Sequence, residues 1–190
     1  MEKIKIIKSK RKTAVIQIKN AQVIVRVPLY MKKADINNFI ESHQDWIKNK
    51  LMLSAKRERA LSKIQPLSDA ELCELVKTAK RIIPEKAKYF SNLLGVSYGR
   101  ISIRKQRTRW GSCSAAGNLN FNCLLILAPD FVLDGVVAHE MCHLKHMNHS
   151  KAFYDELLAV YPSYNDCKKW LVQNGAALQK RLDNNVDFTE

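Results

Sequence analysis

Two histidines four residues apart, with a glutamate directly after the first, constrain the middle of this chain more than any other feature: His139-Glu140-Met141-Cys142-His143. On a helix, residues four apart lie one above the other on the same face, so these two imidazoles can meet one metal ion. Glu140, one step round, can reach water held by that ion. The stretch runs on to His146 and His149, so four of the chain's 5 histidines fall close together. Their surroundings predict a largely buried helix from Asp130 to about Met147, opened by Pro129 and Asp130, with Phe131, Val132, Val136, Val137, Met141 and Leu144 among its apolar positions.

A catalytic zinc keeps three protein ligands and one open position, so the helical pair needs a third donor. On a helix that ran straight on, His146 would sit about 10 Å along the axis from His139, too far for both to bind one ion. His149 becomes reachable if the helix stops near Asn148, which tolerates the left-handed conformation, and the chain folds back. His139, His143 and His149 are therefore the expected ligands, with Glu140 as general base and acid toward zinc-activated water. A structural zinc site normally closes with four ligands and uses cysteine. Cys142, off the ligand face, is expected to fill core space. A second helix should open at Ser150 as its cap and run to Tyr161 before Pro162, and its Asp155 and Glu156 are candidates to orient a ligand histidine.

Upstream, Arg107-Thr108-Arg109-Trp110-Gly111-Ser112-Cys113-Ser114 reads as a strand or irregular loop, Gly117-Asn118 as a turn, and Leu119-Asn120-Phe121-Asn122 as a strand leading into the apolar Cys123–Leu127. An edge strand beside the metal helix can hold an extended substrate through its main chain. Arg107, Arg109, Trp110 and Ser112 are the candidate substrate contacts, arginine being suited to paired contacts with carboxylate or phosphate.

These residues resemble the YgjP-like family of zinc metallopeptidases, related to the SprT-like and WLM groups. The likeness rests on Arg109-Trp110-Gly111-Ser112-Cys113-Ser114, Gly117-Asn118-Leu119, Leu125 to Pro129, Val136-Val137-Ala138-His139-Glu140 through His143-Leu144, and Asn148-His149-Ser150-Lys151-Ala152-Phe153. It implies a compact zincin-like catalytic domain with the same three histidines and Glu140. The spacing from His143 to His149 also matches metzincins, but His146 stands where they have glycine and no downstream Met-turn is evident. That departure speaks against a metzincin.

The fold class expected is α+β: a zincin-like domain over 61–190 with a small antiparallel sheet, and a small basic lobe of strands and helix over 1–60. In the lobe, Ile4 and Ile6, then Ala14, Ile16 and Ile18, then Val23, Val25 and Val27 alternate with polar partners, predicting two or three antiparallel strands with turns near Ser9 and Asn20. Ile36, Phe39, Ile40, His43, Trp46, Ile47 and Leu51 mark one amphipathic helix, with His43 as a packed core residue. Ser68 and Glu71 form a capping box opening a helix that Pro84 should kink or divide and Gly95 should end. The last helix, Tyr164 to Leu182, should bury Trp170, Leu171 and Leu178, with Asp183 to Glu190 frayed beyond it.

Five cysteines without CxxC pairs fit reduced thiols. With no long apolar run and no signal-like start, the expectation is a cytoplasmic protein without membrane attachment. Of the formal net charge of +14, much lies early, and residues 86–129 hold Lys and Arg with no acid. Such a field favours anionic partners. Three functions follow: a zinc peptidase acting on peptide or protein; a zinc-dependent nucleotide phosphoanhydride hydrolase with Arg107 and Arg109 on phosphate; and a nucleic-acid-associated protein with a structural zinc site.

Overall fold

The computed structural model of the chain describes residues 4–19 and 22–182. It divides into two compact units, Met1–Lys63 and Ile64–Glu190, built from helices and two three-stranded sheets. The expected turn at Asn20 and tail from Asp183 to Glu190 lie outside the described residues.

In the first unit, strands β1 (Lys5–Ser9), β2 (Val15–Lys19) and β3 (Gln22–Pro28) form a sheet in the order β1-β3-β2. β3 runs antiparallel to β2, with Val25 opposite Ile16, and parallel to β1, with Val25 opposite Ile6. The expectation of an all-antiparallel arrangement is thus corrected at β1. Val23, Val25 and Val27 are fully buried, so β3 takes the centre and the less buried strands take the edges. The five residues between β1 and β2 suffice to cross two strand spacings of about 4.8 Å each.

Helices α1 (Lys33–Glu41) and α2 (Gln44–Ser62) turn Ile36, Ile40 and Ile47 into the same core. They replace the single helix expected there. The break falls at Ser42-His43, where Ser42 Oγ donates to the Phe39 carbonyl (3.0 Å) and His43 Nδ1 lies 2.8 Å from the same oxygen. These side chains compete with the helical ladder. His43 is exposed and stands at the start of α2, so it is not the core residue expected.

The second unit opens with α3 (Asp69–Leu94). Ser68 Oγ accepts from Glu71 N–H (3.3 Å), the Glu71 carboxylate accepts from Ser68 N–H (2.8 Å), and Gly95 ends the helix at φ 64°. Leu75, Ala79, Ile83, Ala87, Phe90 and Leu94 recur every three or four residues and are buried. Pro84 does not divide the helix. An interior proline costs about 3 kcal/mol, and burying large neighbours such as Ile83 and Phe90, at about 1.5–3 kcal/mol each, offsets it.

Strands β4 (Ile101–Arg104), β5 (Gly111–Cys113) and β6 (Leu119–Asn122) follow, ordered β4-β6-β5. β6 is parallel to β4 and antiparallel to β5, so the small sheet is mixed rather than antiparallel. Leu119 and Phe121 are fully buried, which again draws the most apolar strand to the middle. Gly117, at φ 73°, makes the turn before β6. The apolar run Cys123–Leu127 is a 3-10 helix, capped by Asn122 Oδ1 accepting from Leu124 N–H (3.1 Å). Its tight winding buries Cys123, Leu124 and Leu125 in succession.

Helices α4 (Asp130–Cys142), α5 (Lys151–Val160) and α6 (Tyr164–Lys180) complete the unit. α4 is buried nearly all round. Gly135 permits its close approach to α6, since a Cβ there would stand 2.6 Å from Cys167 Sγ. On α6 the buried residues are the small Cys167 and Gly175, while the expected Trp170, Leu171 and Leu178 are only half-buried. Small residues occupy the line of closest contact and the bulky ones flank it. Among the described residues, no helix is long and apolar enough to cross a membrane.

Candidate metal centre

α4 stops at Cys142, with His143 as its C-cap, five residues short of the expected end at Met147. Leu144 N–H bonds to the Met141 carbonyl, and the N–H groups of Lys145 and His146 both bond to the Cys142 carbonyl, which tightens and closes the last turn. His143 Nδ1 lies 2.9 Å from the His146 carbonyl and pins the turn. Asn148 is therefore not the stop. The loop that follows brings His149 back over α4 and delivers the chain to Ser150, whose Oγ accepts from Phe153 N–H to start α5.

The result is a cluster of three imidazoles. His149 Nε2 lies 3.1 Å from His139 Nε2, and one ring nitrogen from each of His139, His143 and His149 falls within 4.8 Å of the others, a donor set able to hold one metal ion. Phe153, fully buried, forms the floor, its ring 4.7 to 4.9 Å from all three. His146 is turned away to the Glu156 carboxylate (2.8 Å), which also takes Lys145, so Glu156 orients His146 and not the cluster. Asp155 pairs with Lys151 at the surface.

The donor set matches a metal by its own chemistry. Burial, then the neighbouring His143 and His149, then Lys168, press His139 down to about 3. Burial also lowers His143. Both rings are neutral at pH 7, the form that donates a lone pair. The Nδ1–H of His143, donated to the His146 carbonyl, leaves its Nε2 as the donor. His139 Nδ1 is buried without a hydrogen-bond partner among the described residues.

Glu140, 7% exposed, has its carboxyl raised to about 8 by burial. β5 presses directly on it: a Cβ on Gly111 would lie 2.6 Å from Glu140 Cγ and 2.7 Å from Oε1. His139, Glu140, Arg109, Trp110, Gly111 and Tyr164 line a cleft of ≈ 230 Å³ together with Thr108 and Val136. Of the expected substrate contacts, Arg109 and Trp110 thus reach the cleft. Arg107 is exposed and does not line it. Ser112 faces the other way along the strand, its Oγ accepting from Asn120 Nδ2 on β6 (3.2 Å).

Three residues of the site escaped the sequence reading. Tyr164, at the start of α6, stacks on His139 with ring centroids 5.4 Å apart and planes 17° from parallel, and burial raises its phenol. Nothing local marks it, because α6 reaches the cleft only by packing on α4. Gly111 carried a signal, an isolated glycine in a strand pattern, which marks close backbone approach. Asn122, fully buried, holds the Arg109 segment in place by donating from Nδ2 to the Gln106 and Arg109 carbonyls.

All five cysteines are free. Cys142 is buried and its thiol is pushed up to about 12, first by burial. Cys113 is likewise raised by burial and then by Glu140, which argues against a nucleophilic role.

A family model described as YgjP-like, metallopeptidase domain, matches residues 12–74 and 70–174. Among solved structures, the chain resembles the metallopeptidase zymogen jannalysin of Methanocaldococcus jannaschii at 19% identity, covering 50% of this chain and 97% of that one, with a TM-score of 0.45. It resembles the metallopeptidase zymogen abylysin of Pyrococcus abyssi at 19% identity, covering 54% and 100%, with a TM-score of 0.45. No curated protein matches the chain.

Proposed function

Because the chain belongs to the YgjP-like metallopeptidase family, we propose that it is a zinc-dependent peptidase whose metal is held by His139, His143 and His149 and whose acid and base is Glu140. The observation that carries this reading is the convergence of three imidazole nitrogens within 4.8 Å beside a cleft that Glu140 also lines. Bound there, zinc supplies a lowered water pKa and a Lewis acid for a carbonyl oxygen. Three donors leave a position open for that chemistry, whereas a structural site would close with a fourth.

Glu140 takes a proton from the attacking water and returns it to the leaving nitrogen. Burial alone holds its carboxyl near 8, and a divalent cation alongside draws it down into the range where a base works at neutral pH. Tyr164 and Arg109 are the donors in the cleft suited to the charge that develops on the carbonyl oxygen. Burial keeps the Tyr164 phenol protonated and able to donate. The free edge of β5 lies beside Glu140 and supports an extended peptide through its main chain.

Arg109 also favours a second reading, nucleotide phosphoanhydride hydrolysis, in which its guanidinium holds phosphate. A single assay separates them: zinc-loaded protein is offered unfolded polypeptides, short peptides and nucleoside triphosphates beside a Glu140→Gln control. Peptide cleavage lost in the control is the expected result. Nucleotide turnover without peptide cleavage would replace the first reading by the second.

A further inference from the structure

We propose that the first unit, residues 4–63, is a binding surface for single-stranded nucleic acid, independent of the metal centre. The charge of the chain is concentrated there. Residues 1–63 hold 16 Lys or Arg against 5 acids, +11 of the whole-chain +14, so that residues 64–190, with the metal centre, carry only +3. Among the described residues, no cation of the first unit takes part in an ion pair. Its described cations are exposed, apart from the half-buried Arg11.

Charge alone would suit any polyanion. Two aromatic rings narrow the choice. Trp46 is 44% exposed on α2 and lines a groove of ≈ 350 Å³ with Lys50, Arg57 and Ile18. Trp46, Lys50 and Arg57 are spaced four and seven residues apart and so share one face of the helix. Lys50 Nζ stands 6.0 Å from the indole centroid. Tyr30, 77% exposed, lines a second groove, of ≈ 520 Å³, with Lys12 and Lys32. Asp35 is the one acid in the two grooves.

An exposed ring beside lysine or arginine offers a stacking face for a base and a cation for the adjoining phosphate. A duplex keeps its bases stacked internally and can use only the cations. A single strand can use both. Stacking and phosphate contact are indifferent to the sugar, so DNA and RNA strands are both accommodated.

The test uses the full chain and fluorescein-labelled 20-mers of oligothymidine and oligouridine, a duplex of equal length, and phosphatidylserine vesicles, followed by anisotropy or sedimentation over a salt series. Both single strands should bind more tightly than duplex, with log affinity falling linearly in log salt. Trp46→Ala and Tyr30→Ala should each weaken single-strand binding, by about fivefold or more for each base that loses its stacking partner. Trp46→Phe, which keeps a ring, should retain most of the affinity. Lys50→Gln with Arg57→Gln should weaken every nucleic acid and flatten the salt slope. These side chains lie outside the cleft, so peptide hydrolysis by each variant should be unchanged and serves as the check of folding. Binding that ignores Trp46 and Tyr30, an equal preference for duplex, or attachment to vesicles in place of oligonucleotide would each overturn the proposal.

Discussion

Removing the charge from Glu140 should change how the stability of the metal-free protein responds to pH. Its carboxyl sits at about 8 in the folded chain against an ordinary 4.5, with burial as the cause. Between those values the folded state holds a proton that the unfolded state has released. Stability therefore falls as pH rises through this window, the reverse of the usual carboxylate. At 1.36 kcal/mol per pH unit, the full interval amounts to about 5 kcal/mol. Glu140→Gln keeps the shape and cannot ionise. In urea unfolding of the metal-free proteins, the two should be of similar stability near pH 4.5 and should diverge steadily to about pH 8, with the glutamine variant the more stable by several kcal/mol. His139 contributes the opposite slope, since its folded value of about 3 lies below the ordinary 6.5 and stability is lost as pH falls below 6.5. That slope is common to both proteins and cancels in the comparison. Parallel profiles from pH 5 to 8 would refute the claim that burial controls Glu140. Zinc should shrink the difference, because a cation beside the carboxylate stabilises its charged form.

The cluster itself separates two histidines that look alike in sequence. His149→Ala should lower zinc affinity by orders of magnitude in a chelator competition, whereas His146→Ala, which loses only the Glu156 contact, should retain stoichiometric zinc. Gly111→Ala should destabilise by about 1–3 kcal/mol through overpacking and depress kcat with zinc content intact, because its methyl collides with Glu140; unchanged kcat would show that β5 does not position the carboxyl. Tyr164→Phe should keep the stack on His139 and lower kcat by roughly 10²-fold, the scale of one oxyanion donor, with KM little affected; a rise in KM alone would make the phenol a binding group only.

How far the sequence reaches can be judged residue by residue. Helix boundaries written in local chemistry were legible: Ser68 with Glu71, Gly95, Pro129, and Ser150 as a cap all mark ends at which elements begin or stop. So was the pairing of His139 with His143, because a spacing of four is itself the helical period. Strand order was not legible. Alternation in Val23, Val25 and Val27 or in Leu119 and Phe121 says which face is buried, not which neighbours a strand will have, and in both sheets the latest strand in sequence inserted between the earlier two. α4 ends earlier than the apolar pattern predicts: backbone bonds to the Met141 and Cys142 carbonyls close the turn and the His143 ring meets the His146 carbonyl, contacts that no propensity records. Gly111 and Ser112 show the same limit at the smallest scale. Neighbours on a strand face opposite ways, and only the packed structure tells which of the two meets Glu140.

The most direct test of the metal centre is zinc-edge X-ray absorption on protein loaded with one equivalent of the ion. Three imidazole nitrogens at about 2.0–2.1 Å with an oxygen completing the shell are predicted. A sulfur scatterer at about 2.3 Å, or a shell of four protein ligands, would contradict the open three-histidine site on which the account rests.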